Sequence, residues 1–474
     1  MNRTDLDACT LHTIPCLLAR NRIRLRSFCH IVSGSLLFFF DEYLQSDFIL
    51  VLAGIKACVI TMVVSTRSSA RQGKEEKFVY EPRQKVALRD FVGFRYIDQY
   101  LEYDCLMTPD ELRRLSAHKY SAVDTSWLDE LCMKTFWDKV VELYPMWLAP
   151  NLITLIGLIV NLLTVLILTY FCPTATEVAP SWAYLLAALG LFMYQTLDAT
   201  DGKQSRRTGT SSPLGELFDH GCDSISQVFV TLNVCYALQL GELRNSAWLV
   251  CVLSLSLFYC AHWSTYCTGK LKFARFDVTE AQMTVISMLL TTGIFGPGIW
   301  KIGLFGLELR HLVIISSLLG TLYQGGGYLY TIMTGGVGKN GSTVAGTSVL
   351  FPVCPLMAVV IPFCMIYSKS NSDVFQENFT LFVLFFGAVA TKATNRLIVA
   401  HMSRSELFIW DWIYLAPIAL ILNQYYDFVF AEKMLLNYCT IYAYASLLIY
   451  CWVITRQICE HMGIRCFTIT PIKH

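Results

Sequence analysis

Long apolar stretches separated by short polar segments recur along most of the 474-residue chain. They are about 20 residues long, the length that an α-helix needs to cross roughly 30 Å of hydrocarbon. The pattern predicts an all-α polytopic membrane protein with about ten transmembrane helices. The predicted spans are approximately 148–171, 181–200, 221–241, 246–267, 279–299, 311–334, 345–367, 376–400, 409–427 and 435–457.

The composition agrees with a membrane location. The chain is 54% hydrophobic and 15% charged, whereas about 25% of residues are charged in an ordinary soluble domain. The net charge of +1 gives no basic surface for nucleic acid, so we expect no nucleic-acid partner. The 18 cysteines are scattered without a C-x-x-C pair, which argues against a disulfide scaffold or a zinc module.

The segment before the first span has a different pattern. Trp127–Tyr144 places apolar residues at helical spacing, with acidic residues and lysines on the other face. It predicts an N-terminal amphipathic helix lying in the membrane interface. A surface helix packed on the bundle is the alternative.

Residues 1–110 are set apart as an N-terminal extension of uncertain structure. Their apolar stretch Ile31–Phe40 is too short to span a membrane, and Phe48–Val64 contains Lys56. Association of this extension with the membrane, an extension without fixed structure and an error in the gene model all remain open. Residues 111–474 form the predicted membrane domain.

Basic residues in short loops predict the orientation, because they concentrate on the cytosolic side. If the first span starts in the cytosol, that side holds Lys203, Arg206, Arg207, Lys270, Lys272, Arg275, Lys339, Arg404, Arg456, Arg465 and Lys473. The opposite side holds only Arg244, Lys301, Arg310, Lys369 and Lys433. The asymmetry predicts that both ends of the ten-span bundle face the cytosol.

One polar segment, LDATDGKQSRRTGTSSPLGELFDHGCDS, joins the second and third spans. Asp198 and Asp201 are three residues apart, and Asp219 and Asp223 are four apart, so each pair shares a helix face. The turn-forming stretch Thr208–Pro213 lets the two helices run antiparallel. We therefore expect the two pairs of aspartates to meet.

Four adjoining carboxylates near the membrane would repel one another unless cations lie between them. Oxygen ligands without nearby cysteines or paired histidines suit Mg²⁺ or Mn²⁺ rather than zinc. Two such ions could bind a diphosphate and stabilise charge on the attacking and leaving oxygens.

Other residues of the segment fit a phosphate-binding site. Gly202 and Gly215 lack side chains where a nucleotide would approach the helix backbone, although close helix packing also explains glycines. Arg206 is placed to bind phosphate oxygens bidentately, through two guanidinium nitrogens. Lys203 and Arg207 are interpreted as general positive surroundings or as topology determinants.

His220 is the candidate general base. Glu216 precedes it by one helical turn, a spacing that lets the carboxylate hold one ring nitrogen while the other accepts a proton. A base is what an alcohol nucleophile requires. A histidine at a helix end is otherwise more often structural.

The spacing D-x2-D-G-x2-S-R-x8-G-x3-D-x3-D closely resembles the signature of the CDP-alcohol phosphotransferase family. Its position between two spans is the required context. The family has alanine where this chain has Ser205, which puts close packing there in question.

From about Lys119 onward, the chain also resembles eukaryotic choline/ethanolamine phosphotransferases. The stretches that carry this likeness include HKYSAVDTS, WLAPNLIT, YCAHW, GGVGKNGSTVAGTSV and VAHMSRSE. The resemblance implies transfer of phosphocholine or phosphoethanolamine from CDP-choline or CDP-ethanolamine to 1,2-diacylglycerol, with release of CMP. It also implies a homodimer in endoplasmic reticulum or Golgi membranes.

The same resemblance assigns roles to individual residues. It implies that two magnesium ions are held by Asp198, Asp201, Asp219 and Asp223. His220 would be the proton acceptor, Glu216 would increase its basicity, and Asn151 and Arg206 would bind the CDP-alcohol. From the residues alone, Asn151 could equally be a helix cap after Pro150.

Several alternatives remain. The nearest alternative is an ethanolamine-only phosphotransferase. The remote alternatives are a divalent-cation channel or carrier, and an inactive scaffold. Neither a channel nor a carrier explains Arg206, His220 and the glycines at these intervals. His262 could line the pocket, but a structural histidine is the simpler interpretation. The stretch GGVGKNGS lacks the G-K-[ST] ending of a phosphate-binding loop and is interpreted as a cytosolic turn.

Overall fold

The structure is a computed structural model, and it describes residues 106–119, 122–123, 126–272, 278–304, 306–338, 341–370 and 374–469. The apolar stretches predicted within residues 1–105 lie outside the described residues. The first described helix, Pro109–Ser116, extends across the boundary that the sequence placed between residues 110 and 111.

The described chain is almost entirely helical. Its α-helices are α1 Pro109–Ser116, α2 Lys134–Glu142, α3 Pro150–Phe171, α4 Ser181–Thr208, α5 Pro213–Ala237, α6 Arg244–Thr268, α7 Val278–Phe295, α8 Leu309–Met333, α9 Val353–Lys369, α10 Val374–Glu377, α11 Phe379–Ser403, α12 Leu415–Tyr425 and α13 Glu432–Met462. Short 3-10 helices span Leu240–Glu242, Pro297–Lys301 and Trp412–Tyr414.

Strands are minimal in the described residues. β1 Ala122–Val123 pairs in parallel with β2 Leu271–Lys272, and β3 Gly303–Leu304 pairs antiparallel with β4 Leu307–Glu308. The first pair connects the chain before α2 to the segment after α6. The all-α class predicted from the sequence is confirmed.

Each of the ten predicted spans contains a helix. Among the described residues, six helices are long and apolar enough to cross a membrane: α3, α6, α7, α8, α11 and α13. The helices in the other four predicted spans are too polar or too short to meet this criterion. α4 and α5 are long enough but carry the charges of the aspartate segment, and α9 has 17 residues. α12 has 11 residues, so it rises only about 16 Å at 1.5 Å per residue.

The segment predicted as an amphipathic helix is helical, but it begins irregularly. A π-helical turn, Asp129–Met133, leads into α2. Trp137 and Val141 are buried against the bundle, while Leu131 and Leu143 are exposed. α2 packs against α4, so it is a surface helix on the bundle, and a position in the membrane interface stays a prediction.

α5 and α11 form the centre of the bundle. α11 packs against α5, α6 and α13, and nearly all of its side chains are buried. α4 packs against α3 and α7, and α3 also packs against α5. The pair α4–α5 is therefore supported on both sides by other helices, which gives its polar residues a rigid scaffold.

Candidate active site

The turn between α4 and α5 is shorter than the sequence predicted. α4 continues through Thr208, and Gly209 ends it with a φ of +67°, a left-handed conformation that favours glycine. The side chain of Ser212 then caps α5 by accepting from the backbone N–H of Gly215, with Pro213 as the first helical residue. The signature residues therefore lie on these two helices, with Arg206 in the last turn of α4 and Gly215 in the first turn of α5.

The antiparallel helices bring the aspartates together as predicted. Asp198, Asp201 and Asp219 each offer a carboxylate oxygen, and these atoms all lie within 4.8 Å of one another. Asp223 lies in contact with Asp198 and completes the cluster. Two residues from each helix thus converge on one point.

Hydroxyl groups that the sequence analysis missed hold two of these carboxylates. The hydroxyl of Thr154, on α3, donates to Oδ2 of Asp201. The hydroxyl of Tyr194, on α4, donates to Oδ1 of Asp223 over 2.5 Å. A lone threonine or tyrosine in an apolar span gives no sequence signal for such a role, because both also occur as packing residues.

The cluster fits a divalent cation. Oδ1 of Asp198 and Oδ1 of Asp219 are buried, and neither has a hydrogen-bond partner among the described residues. Buried carboxylate oxygens without partners are costly. The donor set consists of oxygens, the ligands that hard divalent cations prefer. A cation bound between the helices would satisfy both orphaned atoms.

The predicted substrate-binding residues lie at the same ends of α4 and α5. A Cβ on Gly202 would come within 3.6 Å of a guanidinium nitrogen of Arg206, and a Cβ on Gly215 would come within 3.6 Å of Oδ1 of Asn151. Arg206 is exposed and makes no hydrogen bond or ion pair with the described residues. Its charge is therefore available to a ligand.

Asn151 is not a helix cap. Ala149 is the N-cap of α3, and the side chain of Asn151 instead donates to Sγ of Cys466 over 3.7 Å. The departure at Ser205 is tolerated, because its hydroxyl donates to the carbonyl oxygen of Gly202 within α4.

Lys203 and Arg207 each have specific structural partners on or next to α2. Lys203 forms a 2.6 Å ion pair with Asp138 on α2, and its ammonium holds the pKa of that carboxyl below its ordinary value. Arg207 donates to the carbonyl oxygens of Val141 and Tyr144. Both basic residues therefore fasten α2 to α4, next to the aspartate cluster.

His220 is buried on α5, next to Asp219 in the chain. Its ring centroid lies 5.2 Å from that of His262 on α6. The structure therefore brings His262 beside the candidate base, although the sequence favoured a purely structural role for it.

Glu216 has a partner that the sequence analysis did not assign. Nε2 of His118 lies 3.1 and 3.0 Å from the two carboxylate oxygens of Glu216. The ring of His401 lies 5.4 Å from that of His118. Both histidines belong to stretches used for the family resemblance, HKYSAVDTS and VAHMSRSE, which gave no residue-level role.

The described residues of the glycine-rich stretch after α8 use backbone donors within the protein, and the cytosolic turn stays a prediction. The backbone N–H groups of Gly336, Val337 and Gly338 donate to carbonyl oxygens of Gly341, Cys267 and Ser342, respectively. These donors are already used within the protein, so they are not free to bind phosphate.

The fold and the site define a multi-pass membrane protein with a carboxylate cluster, suited to a divalent cation, between two helices. The chain belongs to the CDP-alcohol phosphatidyltransferase family, whose sequence model matches residues 147–321. The membership confirms the resemblance seen in the signature and makes the protein a transferase.

Curated relatives extend the similarity beyond that domain. "Cholinephosphotransferase 1" of Xenopus laevis is 46% identical over 366 residues, covering 77% of this chain and 91% of the relative. The protein of the same name from Homo sapiens is 43% identical over 359 residues, covering 75% and 88%. An "uncharacterized CDP-alcohol phosphatidyltransferase class-I family protein 2" of Dictyostelium discoideum is 32% identical over 367 residues, covering 76% and 86%.

Proposed function

We propose that this protein transfers phosphocholine from CDP-choline to 1,2-diacylglycerol, giving phosphatidylcholine and CMP, with CDP-ethanolamine as a second donor. The observation that carries the proposal is the convergence of four aspartates between α4 and α5, with two buried oxygens unsatisfied. Similarity to the cholinephosphotransferases of Xenopus laevis and Homo sapiens supports choline as the first head group. An ethanolamine-only activity gains no such support.

The cofactor in this proposal is a pair of Mg²⁺ or Mn²⁺ ions. Asp198, Asp201, Asp219 and Asp223 would hold them, and the hydroxyls that bond two of these carboxylates would fix their orientation. When bound, such ions neutralise the diphosphate and stabilise charge on the attacking and leaving oxygens.

The CDP-alcohol would bind beside this cluster. Arg206 is exposed and without an ion-pair partner in the described chain, so its guanidinium can bind phosphate oxygens. Gly202 and Gly215 leave space next to Arg206 and Asn151, respectively. Asn151 would contribute polar contacts from the start of α3.

His220 would act as general base. A ring nitrogen of His220 accepts the hydroxyl proton of diacylglycerol while the alcohol oxygen attacks the β-phosphorus. The bond from that phosphorus to the bridging oxygen breaks, and CMP leaves with the electron pair. Glu216, one helical turn away, would raise the basicity of the imidazole.

The setting in the cell follows from the same reasoning. Diacylglycerol is a membrane lipid and CDP-choline is soluble in water, so the site must be reached from both phases. We place the site on the cytosolic side on the basis of loop charge. Residence in endoplasmic reticulum or Golgi membranes and a homodimer are implied only by the resemblance to choline/ethanolamine phosphotransferases, and we include both in the proposal.

A microsomal assay tests the proposal. The protein is expressed in cells without endogenous activity, and the microsomes receive diacylglycerol, Mg²⁺ and either labelled CDP-choline or labelled CDP-ethanolamine. We expect labelled phosphatidylcholine, and less phosphatidylethanolamine, from the wild type and none from Asp198→Asn. Absence of both products with a correctly inserted wild-type protein would refute the proposal, and product from CDP-ethanolamine alone would replace choline by ethanolamine.

A further inference from the structure

Outside the aspartate cluster, a part-buried polar contact joins Glu216 on α5 to His118. Nε2 of His118 lies 3.0 Å from one carboxylate oxygen and 3.1 Å from the other. Both side chains are only 10% exposed. A hydrogen bond shared by both oxygens of a carboxylate limits its rotation, so Glu216 is held by a residue from outside its own helix.

The helix that supplies His118 is firmly docked. Before α1, the backbone N–H groups of Leu106 and Met107 both donate to Oε1 of Gln457 on α13. Within α1, Nε of Arg114 donates to the carbonyl oxygen of Ser403, over 2.7 Å, at the end of α11. These contacts bind α1 to two helices of the bundle.

Apolar packing fixes α1 to the third helix, α5. Leu115 is 1% exposed and belongs to the same buried cluster as Leu214 and Leu217, the residues on either side of the Glu216 turn. The backbone N–H of His118 then donates to the carbonyl oxygen of Leu115, which ends α1 in a tight turn. The position of His118 is thus supported by the packing of Leu115 in a cluster that also contains two neighbours of Glu216.

A second histidine supports the first from α11. The ring of His401 contacts that of His118 edge to face, with centroids 5.4 Å apart and an interplanar angle of 81°. His401 is itself buried. The imidazole of His118 is therefore held between a ring on α11 and a carboxylate on α5.

We infer that His118 is a positioning residue that holds the Glu216 carboxylate in the orientation in which it serves His220. The inference rests on the proposed function, because it requires Glu216 and His220 to act in the transfer. His118 and His401 both lie outside residues 147–321, the part that matches the family model. The segment before α2 therefore completes the site instead of only flanking it.

The test compares five variants of the full-length protein in the diacylglycerol assay with CDP-choline. They are His118→Ala, His118→Gln, Glu216→Gln, the double variant His118→Ala/Glu216→Gln and the control His461→Ala. His461 is an exposed histidine in the last turn of α13. His461→Ala therefore makes the same histidine-to-alanine change as His118→Ala, but away from the proposed site. Turnover is expressed per folded enzyme, and thermal stability is measured in parallel.

For His118→Ala we expect kcat to fall about tenfold, the value of one hydrogen bond to a charged group. KM for CDP-choline should stay within about twofold, because His118 contacts no proposed nucleotide-binding residue. Glutamine can still donate to the carboxylate, so His118→Gln should recover most of the loss. The double variant should be no slower than Glu216→Gln, since the two residues act through one contact.

Three results would overturn the inference. The first is an unchanged kcat per folded enzyme in His118→Ala, with loss of thermal stability only. The second is a double variant whose losses multiply. The third is one equivalent of zinc that binds the wild type and is absent from both His118→Ala and His118→Gln. This result is possible because His118, Glu216 and His401 could also hold a metal. Absence of transfer in the wild type and in His461→Ala would refute the proposed function and the inference together.

Discussion

The hydroxyl of Tyr194 donates to Oδ1 of Asp223 over 2.5 Å, linking the middle of α4 to the third turn of α5. This bond orients a carboxylate that is also in contact with Asp198. A ligand held in advance loses less freedom when it binds a cation. The two residues thus connect the packing of the helix pair to the proposed metal site.

Replacing Tyr194 by phenylalanine should weaken cation binding without removing a ligand. We expect the Mg²⁺ concentration for half-maximal transfer to rise about tenfold, since a bond to a carboxylate contributes roughly 1.5–3 kcal/mol. Tyr184→Phe is the control, because Tyr184 is buried on the same helix but bonds the backbone N–H of Ala179 at the far end. An equal change in the Mg²⁺ requirement of both variants would indicate a general loss of stability.

Chelation should abolish transfer, and Mg²⁺ or Mn²⁺ should restore it. Among the aspartates, Asp198→Asn and Asp219→Asn should be the most harmful, with losses of at least about 10²-fold. Their Oδ1 atoms are the buried oxygens without partners in the described chain, whereas Asp201 and Asp223 have hydroxyl donors. Full turnover in excess chelator, or equal mild losses at all four positions, would contradict the two-ion site.

The sequence predicted these four aspartates because residues three or four apart must share a helix face, whatever surrounds them. It could not predict Thr154 or Tyr194, since their contacts depend on how α3 and α4 pack against α5. The same limit explains why the partner of Glu216 was missed. The spacing between Glu216 and His220 was visible in the sequence, but His118 lies 98 residues from Glu216 along the chain. The turn between α4 and α5 was predicted to within one residue at each end, because Gly209 and Pro213 mark it in the sequence.

The orientation can be tested by labelling single cysteines in sealed microsomes. Thr176 and Thr210 lie before and after the 28-residue α4, which is about 42 Å long. In a background without the exposed Cys132 and Cys354 and without the cysteines of residues 1–105, we expect Thr210→Cys to react with an impermeant reagent from the cytosolic side. Thr176→Cys should react only after permeabilisation. The reverse pattern would refute the orientation derived from loop charge.

Truncations should separate the N-terminal extension from the site. Deleting residues 1–100 should leave transfer largely intact, because no proposed site residue lies there and the contact of Leu106 with Gln457 is retained. Deleting residues 1–118 removes α1 and His118, so transfer should fall sharply at a comparable membrane level. Loss of activity in the shorter deletion, with normal expression and insertion, would show that the extension is required.

The last prediction concerns the base. The primary alcohol of diacylglycerol is un-ionised at neutral pH, so its attack on the β-phosphorus needs a group that accepts the proton. General-base catalysis contributes about 10²–10⁴-fold, and His220→Ala should lower kcat by that order. Binding of CDP-choline should survive, because the proposed contacts to the nucleotide come from Arg206, Asn151 and the ions.

The companion variant is Glu216→Gln, which should cost less, since it removes a supporting charge and leaves the imidazole in place. His461→Ala, at an exposed histidine, should behave as the wild type. Near-normal turnover in His220→Ala would mean that the ions alone activate the alcohol. Loss of nucleotide binding in His220→Ala would instead place His220 among the binding residues, and the base would have to be sought next at His262, whose ring lies 5.2 Å away.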